Sequence, residues 1–177
     1  MSFKIIVDSC CDLTPAQLRE ECFLSVPLRI QVGSHTVVDD ASFDQADLLW
    51  RMKECQSAPR TACPSPAQYL DAFDCGADDV YVVTLSALLS GSHNAAAQAR
   101  LLWLEEHPNA RVHIFNSCSA SAGEVLVALK IQELACSGMD FTTVVSHVSR
   151  YINEMETYFV LETLDNLKKN GRLTKTQ

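Results

Sequence analysis

Short apolar runs alternate with longer amphipathic segments along most of the chain. The runs at 3–7, 79–85 and 111–116 are rich in Val and Ile, which is typical of strands buried on both faces of a sheet. Apolar residues at helical spacing predict helices over 44–55, 67–73, 95–106, 121–138 and 141–155. Because strands and helices alternate, we expect an α/β fold with a mostly parallel sheet flanked by helices.

Polar residues that cap helices mark several of these boundaries. Asp44 and Asp140 precede helices and are suitable N-caps, and Gly138 suits the position just beyond a helix end. Thr14, followed by proline, predicts a further helix over 13–22.

The segment 23–39 has the pattern of two strands joined by a tight turn. Its strands, at 23–32 and 35–39, flank a Gly-Ser pair, which predicts a hairpin with a type II′ turn. Pro27 interrupts the first strand, so we do not expect it to be central in a sheet along its whole length.

A last strand at 157–162 and a short helix at 163–172 precede an abrupt end. A strand this late needs a partner, so we expect the chain to be truncated or trimmed at a domain boundary. The predicted domains are residues 1–156, an N-terminal α/β domain, and residues 157–177, the beginning of a second domain.

Composition excludes several classes of function. The 177 residues include 14 basic and 22 acidic ones, a net charge of −8, which argues against a nucleic-acid partner. No apolar run approaches the roughly 18–20 residues that span a bilayer, nor a signal-peptide core of about 7–15 residues. We therefore expect a cytoplasmic protein without stable membrane insertion. The eight scattered cysteines contain no CxxC pair, so most of them are expected to be reduced thiols.

Four loops rich in serine and small residues are the candidate functional segments. They read DSCCDL at 8–13, RTACPSP at 60–66, LSALLSGSHN at 85–94 and NSCSASAG at 116–123. Three of them follow predicted strands, and ligands of open α/β sheets bind beyond the carboxyl ends of strands. Hydroxyls and unpaired N–H groups at helix starts suit an anion, although each serine can equally be a simple helix cap.

Other chemistries have weaker signals. No GxSxG elbow is present, and His93, one helical turn after Ser90, is poorly placed to act as its base, so an acyl hydrolase is only an alternative. P-loop and GxGxxG patterns are absent. Carboxylates that could bind Mg²⁺ occur at Asp8, Asp12, Asp39 and Asp40, but we expect no metal site and no cofactor.

Taken together, the loop motifs resemble those of the DegV family of bacterial lipid-binding proteins. VDSCCDL is similar to that family's TDSTADL, TACPSP to TSQPSP, LSALLSGSHNAA to ISSKLSGTYQSA, and NSCSASAG to DSKSVSMG. A fifth segment, YFVLETLDNLKKNGRLTK at 158–175, resembles FVVDTLEYLRRGGRISK. The motifs follow the family's order over nearly all of the chain. The chain departs from the pattern at several positions, among them Cys10, Ala62, Cys63 and Asn116.

The resemblance implies two α/β domains and a non-enzymatic lipid carrier. Members of the family bury the tail of a long-chain fatty acid and hold its carboxylate for a separate fatty acid kinase, whose acyl phosphate feeds phospholipid synthesis. The expected partners are therefore a fatty acid and a kinase subunit. A ligand-sensing regulator remains a further alternative. Acyl chain length and oligomeric state stay open, and we expect the chain alone to retain lipid weakly or not at all.

The motif positions also imply the site residues. Thr61, Ser90 and the N–H of Gly91 are expected to bind the carboxylate. Arg172 is expected to contact the carboxylate or the partner. The expected lining or supporting residues are all serines: Ser9, Ser65, Ser92, Ser117 and Ser119.

Overall fold

The computed structural model describes residues 2–158, 160 and 164. Its strands are Phe3–Asp8 (β1), Phe23–Val26 (β2), Arg29–Val32 (β3), His35–Val38 (β4), Arg60–Ala62 (β5), Asp79–Thr84 (β6) and Arg111–Asn116 (β7). Its α-helices are Gln45–Glu54 (α1), Pro66–Phe73 (α2), Ser92–Glu106 (α3), Ala122–Cys136 (α4) and Phe141–Glu154 (α5). No described helix is long and apolar enough to cross a membrane.

The described residues form two compact units. The first contains residues 2–26 and 63–157. The second contains residues 27–62, together with the described residues 158, 160 and 164. This division was not expected from the sequence. The predicted boundary between residues 156 and 157 stays a prediction.

A parallel four-stranded sheet is the centre of the first unit, as predicted. The strand order is β2-β1-β6-β7, and every neighbouring pair is parallel. All six residues of β6 are buried, as are the last four of β1, which explains the apolar runs at 80–83 and 5–7.

Helices cover both faces of this sheet, and alternate strand residues point to opposite faces. Ile5 and Val7 of β1 belong to a core shared with α4 and α5, which provide residues such as Ile131 and Val148. On the other face, Ile6 belongs to a core formed with α2 and α3. There Ala95, Ala96 and Ala99 line the buried side of α3.

The second unit consists of an antiparallel sheet of order β4-β3-β5 and the helix α1. Val32 pairs with His35 across the hairpin. Gly33 has a φ of 60°, while Ser34 is not among the residues with positive φ, so the turn is of the predicted II′ kind. The predicted Asp44 cap is confirmed, since its side chain accepts a hydrogen bond from the Asp47 N–H.

Three predicted segments differ from the structure. The predicted strand 23–32 is divided at Pro27 between the two units, because proline offers no N–H to a sheet. The predicted helix 13–22 is reduced to a single 3₁₀ turn, Gln17–Arg19. Leu13, at the start of the predicted helix, is buried, but Leu18 is 45% exposed, so no continuous buried face stabilises a longer helix. The predicted loop 56–66 contains β5, which pairs with β3.

At the C-terminal side, the Asp140 cap of α5 is confirmed by hydrogen bonds from the N–H groups of Thr142 and Thr143. Half of the predicted strand at 157–162 (residues 159, 161 and 162) lies outside the described residues. The same is true of the predicted helix at 163–172 except for residue 164, and of Arg172.

Candidate functional site

The candidate site lies in the first unit, at the edge where the carboxyl ends of β1, β6 and β7 meet. The strands are parallel and adjacent, so the loops that follow them lie side by side. The loops after β6 and β7 are joined directly, since the Ser86 N–H donates to the Ser119 carbonyl (2.8 Å) and the Ala87 N–H donates to Asn116 Oδ1 (3.0 Å). The sheet therefore brings three of the four predicted loops together.

Asp8, the last residue of β1, is the acceptor that organises this edge. It is fully buried. Its Oδ2 accepts from the Ser92 hydroxyl at 2.6 Å and from the Leu85 N–H at 3.0 Å, and its Oδ1 accepts from the Cys10 N–H at 3.2 Å. Burial raises the pKa of Asp8, and these donors oppose that rise. One carboxyl group thus links the ends of β1 and β6 to the start of α3.

Ser92 continues this network into the core. Its hydroxyl lies 2.6 Å from the Tyr69 hydroxyl, and both side chains are buried. Because the single Ser92 hydroxyl proton is donated to Asp8, Tyr69 is the donor to Ser92. Ser92, predicted as lining or supporting, is therefore occupied by two partners within the protein.

The turn before α3 presents different groups. Ser90 is half-buried, and its Oγ accepts from the Ser92 N–H at 3.2 Å, which leaves the hydroxyl proton for another acceptor. Gly91 is exposed and is the N-cap of the 15-residue helix. Among the described residues, its N–H has no hydrogen-bond acceptor, and a Cβ there would lie 3.2 Å from the Cys63 Sγ. This turn can donate hydrogen bonds to an anion.

The loop after β7 is held by its own serines. The Ser117 hydroxyl accepts from the Ser119 N–H and donates to the Ser119 carbonyl, both at 3.1 Å. The Ser119 hydroxyl lies 2.7 Å from that of Thr157. Ser117 and Ser119 are 1% and 3% exposed, so their hydroxyls shape the loop from within.

The same loop depends on its asparagine and its glycine. Asn116 Oδ1 accepts from two N–H groups, those of Ala87 and Cys118, so the neutral amide supplies acceptors for both neighbouring loops. A Cβ on Gly123 would lie 2.6 Å from the Ser119 Cβ and still closer to its Oγ. Only glycine leaves room for the Ser119 side chain at this position.

The remaining predicted residues lie in different places. Ser9 is half-buried, and its N–H donates to the Val26 carbonyl at 3.1 Å. Ser65 is the N-cap of α2 and forms a capping box with Gln68. Thr61 is exposed on β5 of the second unit.

His93, which an acyl hydrolase would need as a base beside Ser90, has another neighbour. Its Nδ1 lies 3.4 Å from the Thr84 hydroxyl, and burial lowers its pKa. This contact gives the hydrolase alternative no support.

Glu124, in the first turn of α4, is a residue of this site that the sequence did not predict. It is fully buried, and neither carboxylate oxygen has a hydrogen-bond partner among the described residues. Burial, followed by the negative charge of Asp8, raises the pKa of Glu124 to about 9. Burial and the nearby Glu124 raise the pKa of the Cys10 thiol to about 12. The signal was present: Glu124 precedes Val127, Ala128 and Ile131 at the spacing of one buried helix face.

Comparison with known proteins shows which family has this sequence and fold. The model of the DegV family, described as uncharacterised proteins, matches residues 2–177. The chain belongs to the DegV family. A DegV domain-containing protein of Streptococcus pneumoniae strain R6 is 42% identical over 177 residues, which cover 99% of this chain and 63% of the relative. The chain thus spans about 63% of the length of the curated relatives it matches.

Solved structures of DegV relatives are similar over nearly the whole chain. The DegV family protein of Ruminococcus gnavus, refined with vaccenic acid, has a TM-score of 0.95 at 48% identity, covering 99% of this chain and 63% of its own. The Streptococcus pneumoniae Fatty Acid Kinase (Fak) B3 protein, loaded with linoleic acid, has a TM-score of 0.92 at 42% identity with the same coverage. A DegV family protein of Eubacterium eligens, loaded with heptadecanoic acid, has a TM-score of 0.88 at 30% identity, covering 99% and 62%.

Proposed function

We propose that this chain belongs to a carrier that binds one long-chain fatty acid and presents its carboxylate to a separate fatty acid kinase. The similar proteins solved with vaccenic, linoleic and heptadecanoic acid support the ligand class. The similarity to a fatty acid kinase B3 protein supports the kinase as partner. In this proposal the carrier acts in the cytoplasm and the kinase supplies the phosphoryl-transfer machinery.

The observation that carries the proposal is the donor pair at the start of α3. The half-buried Ser90 hydroxyl and the N–H of Gly91 stand next to each other at a helix N-terminus, where the helix dipole favours an anion. Thr61 is the proposed third donor because of its position in the family motif TACPSP. Neutral donors of this kind hold a carboxylate while leaving its oxygen able to react, whereas a buried ion pair would mask the anion.

The tail and the donors have different roles. A tail of about sixteen carbons, at roughly 0.8 kcal/mol for each buried CH₂ group, contributes about 12 kcal/mol before the costs of binding. A neutral hydrogen bond contributes only about 0.5–1.5 kcal/mol. The tail therefore provides most of the affinity, and Ser90, Gly91 and Thr61 mainly orient the carboxylate.

The proposal is tested by denaturing extraction and mass spectrometry of a protein that spans the full length of the curated relatives, purified from bacteria. The 177-residue chain covers about 63% of that length and is expected to retain lipid weakly or not at all by itself. A fatty acid in stoichiometric amount supports it. A protein that carries no fatty acid, and takes up none from a mixture, contradicts it. Labelling by a serine-directed phosphonate would instead favour the hydrolase alternative.

The donor assignment needs its own variants. Thr61→Ala is expected to weaken fatty-acid binding or phosphorylation of the bound acid by the kinase about 3- to 10-fold, since one neutral hydrogen bond is lost. Thr36→Ala, an exposed threonine on β4 of the same small sheet, is the matched control and should change neither. Equal behaviour of the two variants in both assays would remove Thr61 from the site.

A further inference from the structure

Three potential metal ligands lie close together near the carboxyl ends of the parallel strands of the first unit. One ligand atom each from Asp8, Cys10 and Glu124 lies within 4.8 Å of the other two. Asp8 and Glu124 are completely buried and Cys10 is partly buried. None of the three is a proposed carboxylate donor, although Asp8 also accepts a hydrogen bond from Ser92 in the first turn of α3.

The burial of Glu124 distinguishes this cluster from acidic residues on a protein surface. Both of its oxygens are buried, no N–H or O–H group among the described residues donates to them, and the groups nearest to them include the Asp8 carboxylate and the Cys10 thiol. Buried polar groups in native proteins are nearly always paired, and those that are not require an explanation, such as an ion. Two carboxylates this close also repel each other unless a positive charge or a proton lies between them.

We propose that Asp8, Cys10 and Glu124 bind a divalent cation of the zinc class. Carboxylate oxygen and thiolate sulfur are both ligands of Zn²⁺, whereas Mg²⁺ and Ca²⁺ prefer oxygen alone. In a tetrahedral site, zinc–oxygen and zinc–sulfur bonds of about 2.0–2.3 Å place the ligand atoms about 3.3–3.8 Å from one another. Two ligand atoms that start 4.8 Å apart therefore approach each other by about 1–1.5 Å in total, a movement shared between the two side chains. As the sulfur–metal bond forms, the Cys10 thiol releases its proton to solvent.

The surroundings of the ligands fit this role. The Ser92 hydroxyl and the Leu85 N–H hold Oδ2 of Asp8, and the Cys10 N–H holds Oδ1, so the orientation of this carboxylate is fixed from two sides. Cys10 comes from the loop after β1, and Glu124 comes from the first turn of α4. A bound cation would therefore join that loop to the helix.

The experiment uses the 177-residue chain, reduced, freed of metal by a chelator and titrated with Co²⁺ and then Zn²⁺. We expect one equivalent of Co²⁺ to give the near-ultraviolet absorption of a cobalt–thiolate bond, and Zn²⁺ to displace it. Zn²⁺ should also raise the midpoint of thermal unfolding, because it binds the folded state. Cys10→Ser should abolish the absorption. Cys136→Ser, which alters an exposed thiol at the end of α4, should leave it intact.

Glu124→Gln keeps the shape of the side chain and removes one ligand, so the folded variant should bind Co²⁺ more than about tenfold more weakly. Absorption that survives Cys10→Ser would assign the metal to a surface thiol and overturn the proposal. So would unchanged affinity in Glu124→Gln. If neither metal ion alters the absorption or the unfolding midpoint, Glu124 and Asp8 share a proton in place of a cation, and the proposal is wrong. None of these results bears on fatty-acid retention, which is measured separately.

Discussion

Replacing Ser92 by alanine tests whether the hydroxyl between Asp8 and Tyr69 holds the first unit together. The side chain is completely buried and makes two hydrogen bonds of 2.6 Å. In Ser92→Ala, Asp8 keeps the Leu85 N–H as a donor to Oδ2 but loses the hydroxyl. The Tyr69 hydroxyl loses its acceptor and remains buried.

The expected cost follows from these two losses. A hydrogen bond to a charged group contributes about 1.5–3 kcal/mol, and a buried hydroxyl left without a partner costs about 1–3 kcal/mol. The higher helix propensity of alanine returns less than about 0.7 kcal/mol. We expect a net loss of about 3 kcal/mol, a large part of the roughly 5–15 kcal/mol that stabilises a typical domain.

Urea unfolding, followed by far-ultraviolet circular dichroism, measures this loss as a lower transition midpoint at unchanged slope. Thr142→Ala is the matched control, because it removes an exposed hydroxyl from the first turn of α5 and should change stability by less than about 0.5 kcal/mol. A loss in Ser92→Ala no larger than in Thr142→Ala would refute the reasoning.

The double variant with Tyr69→Phe sharpens the test. Without the tyrosine hydroxyl, Ser92→Ala no longer strands a buried donor, so the two changes together should cost at least about 1 kcal/mol less than the sum of the single changes. Strict additivity would show that the two hydroxyls are not coupled.

Two further predictions concern the same unit. Gly123→Ala should lower the free energy of unfolding, measured with urea, by about 1–3 kcal/mol, because the new methyl group overlaps the Ser119 side chain. The control is Ala122→Gly at the exposed neighbouring residue, and equal losses in the two variants would contradict the overlap. His113 should titrate below 6.5 in nuclear magnetic resonance spectra, because burial and then the positive charge of Arg100 lower its pKa. The contribution of His113 to stability is therefore present above about pH 6.5 and is lost as the pH falls, so His113→Gln should make unfolding less sensitive to acid. A titration of His113 at the ordinary value would contradict this prediction.

The elements that the sequence predicted well are those with local signals. Asp44 and Asp140 cap their helices within three residues, and the Gly33 turn is specified by its own φ preference. The three residues of β5 have no such signal, since that strand exists through its pairing with β3. The helix predicted after Thr14 failed for a related reason. The Thr14 hydroxyl accepts a hydrogen bond from the Gln17 N–H, but Leu18 does not pack into a core.

The site shows the same limit. Serine-rich loops after strands could be found because strand order alone brings them to one edge. Which serine faces a ligand and which is used internally depends on tertiary partners, such as Tyr69 for Ser92, which is 23 residues away in sequence. The role of Glu124 depends on its neighbour Asp8 in the same way. The only local indication of that role was the presence of a polar residue on the buried face of α4.

Residues 27–62 separate the two parts of the first unit in the sequence, so strands that pair in its sheet are far apart along the chain. Phe3 of β1 pairs with Asp79 of β6, so the central strand pair joins residues 76 positions apart. During synthesis β1 cannot pair with β6 until β6 has left the ribosome. The intervening hairpin and helix consist of local contacts, which form sooner. Closing a loop costs only about 0.6 kcal/mol more for each doubling of its length. Insertions into the segment 27–62 should therefore slow the formation of the sheet more than they weaken it.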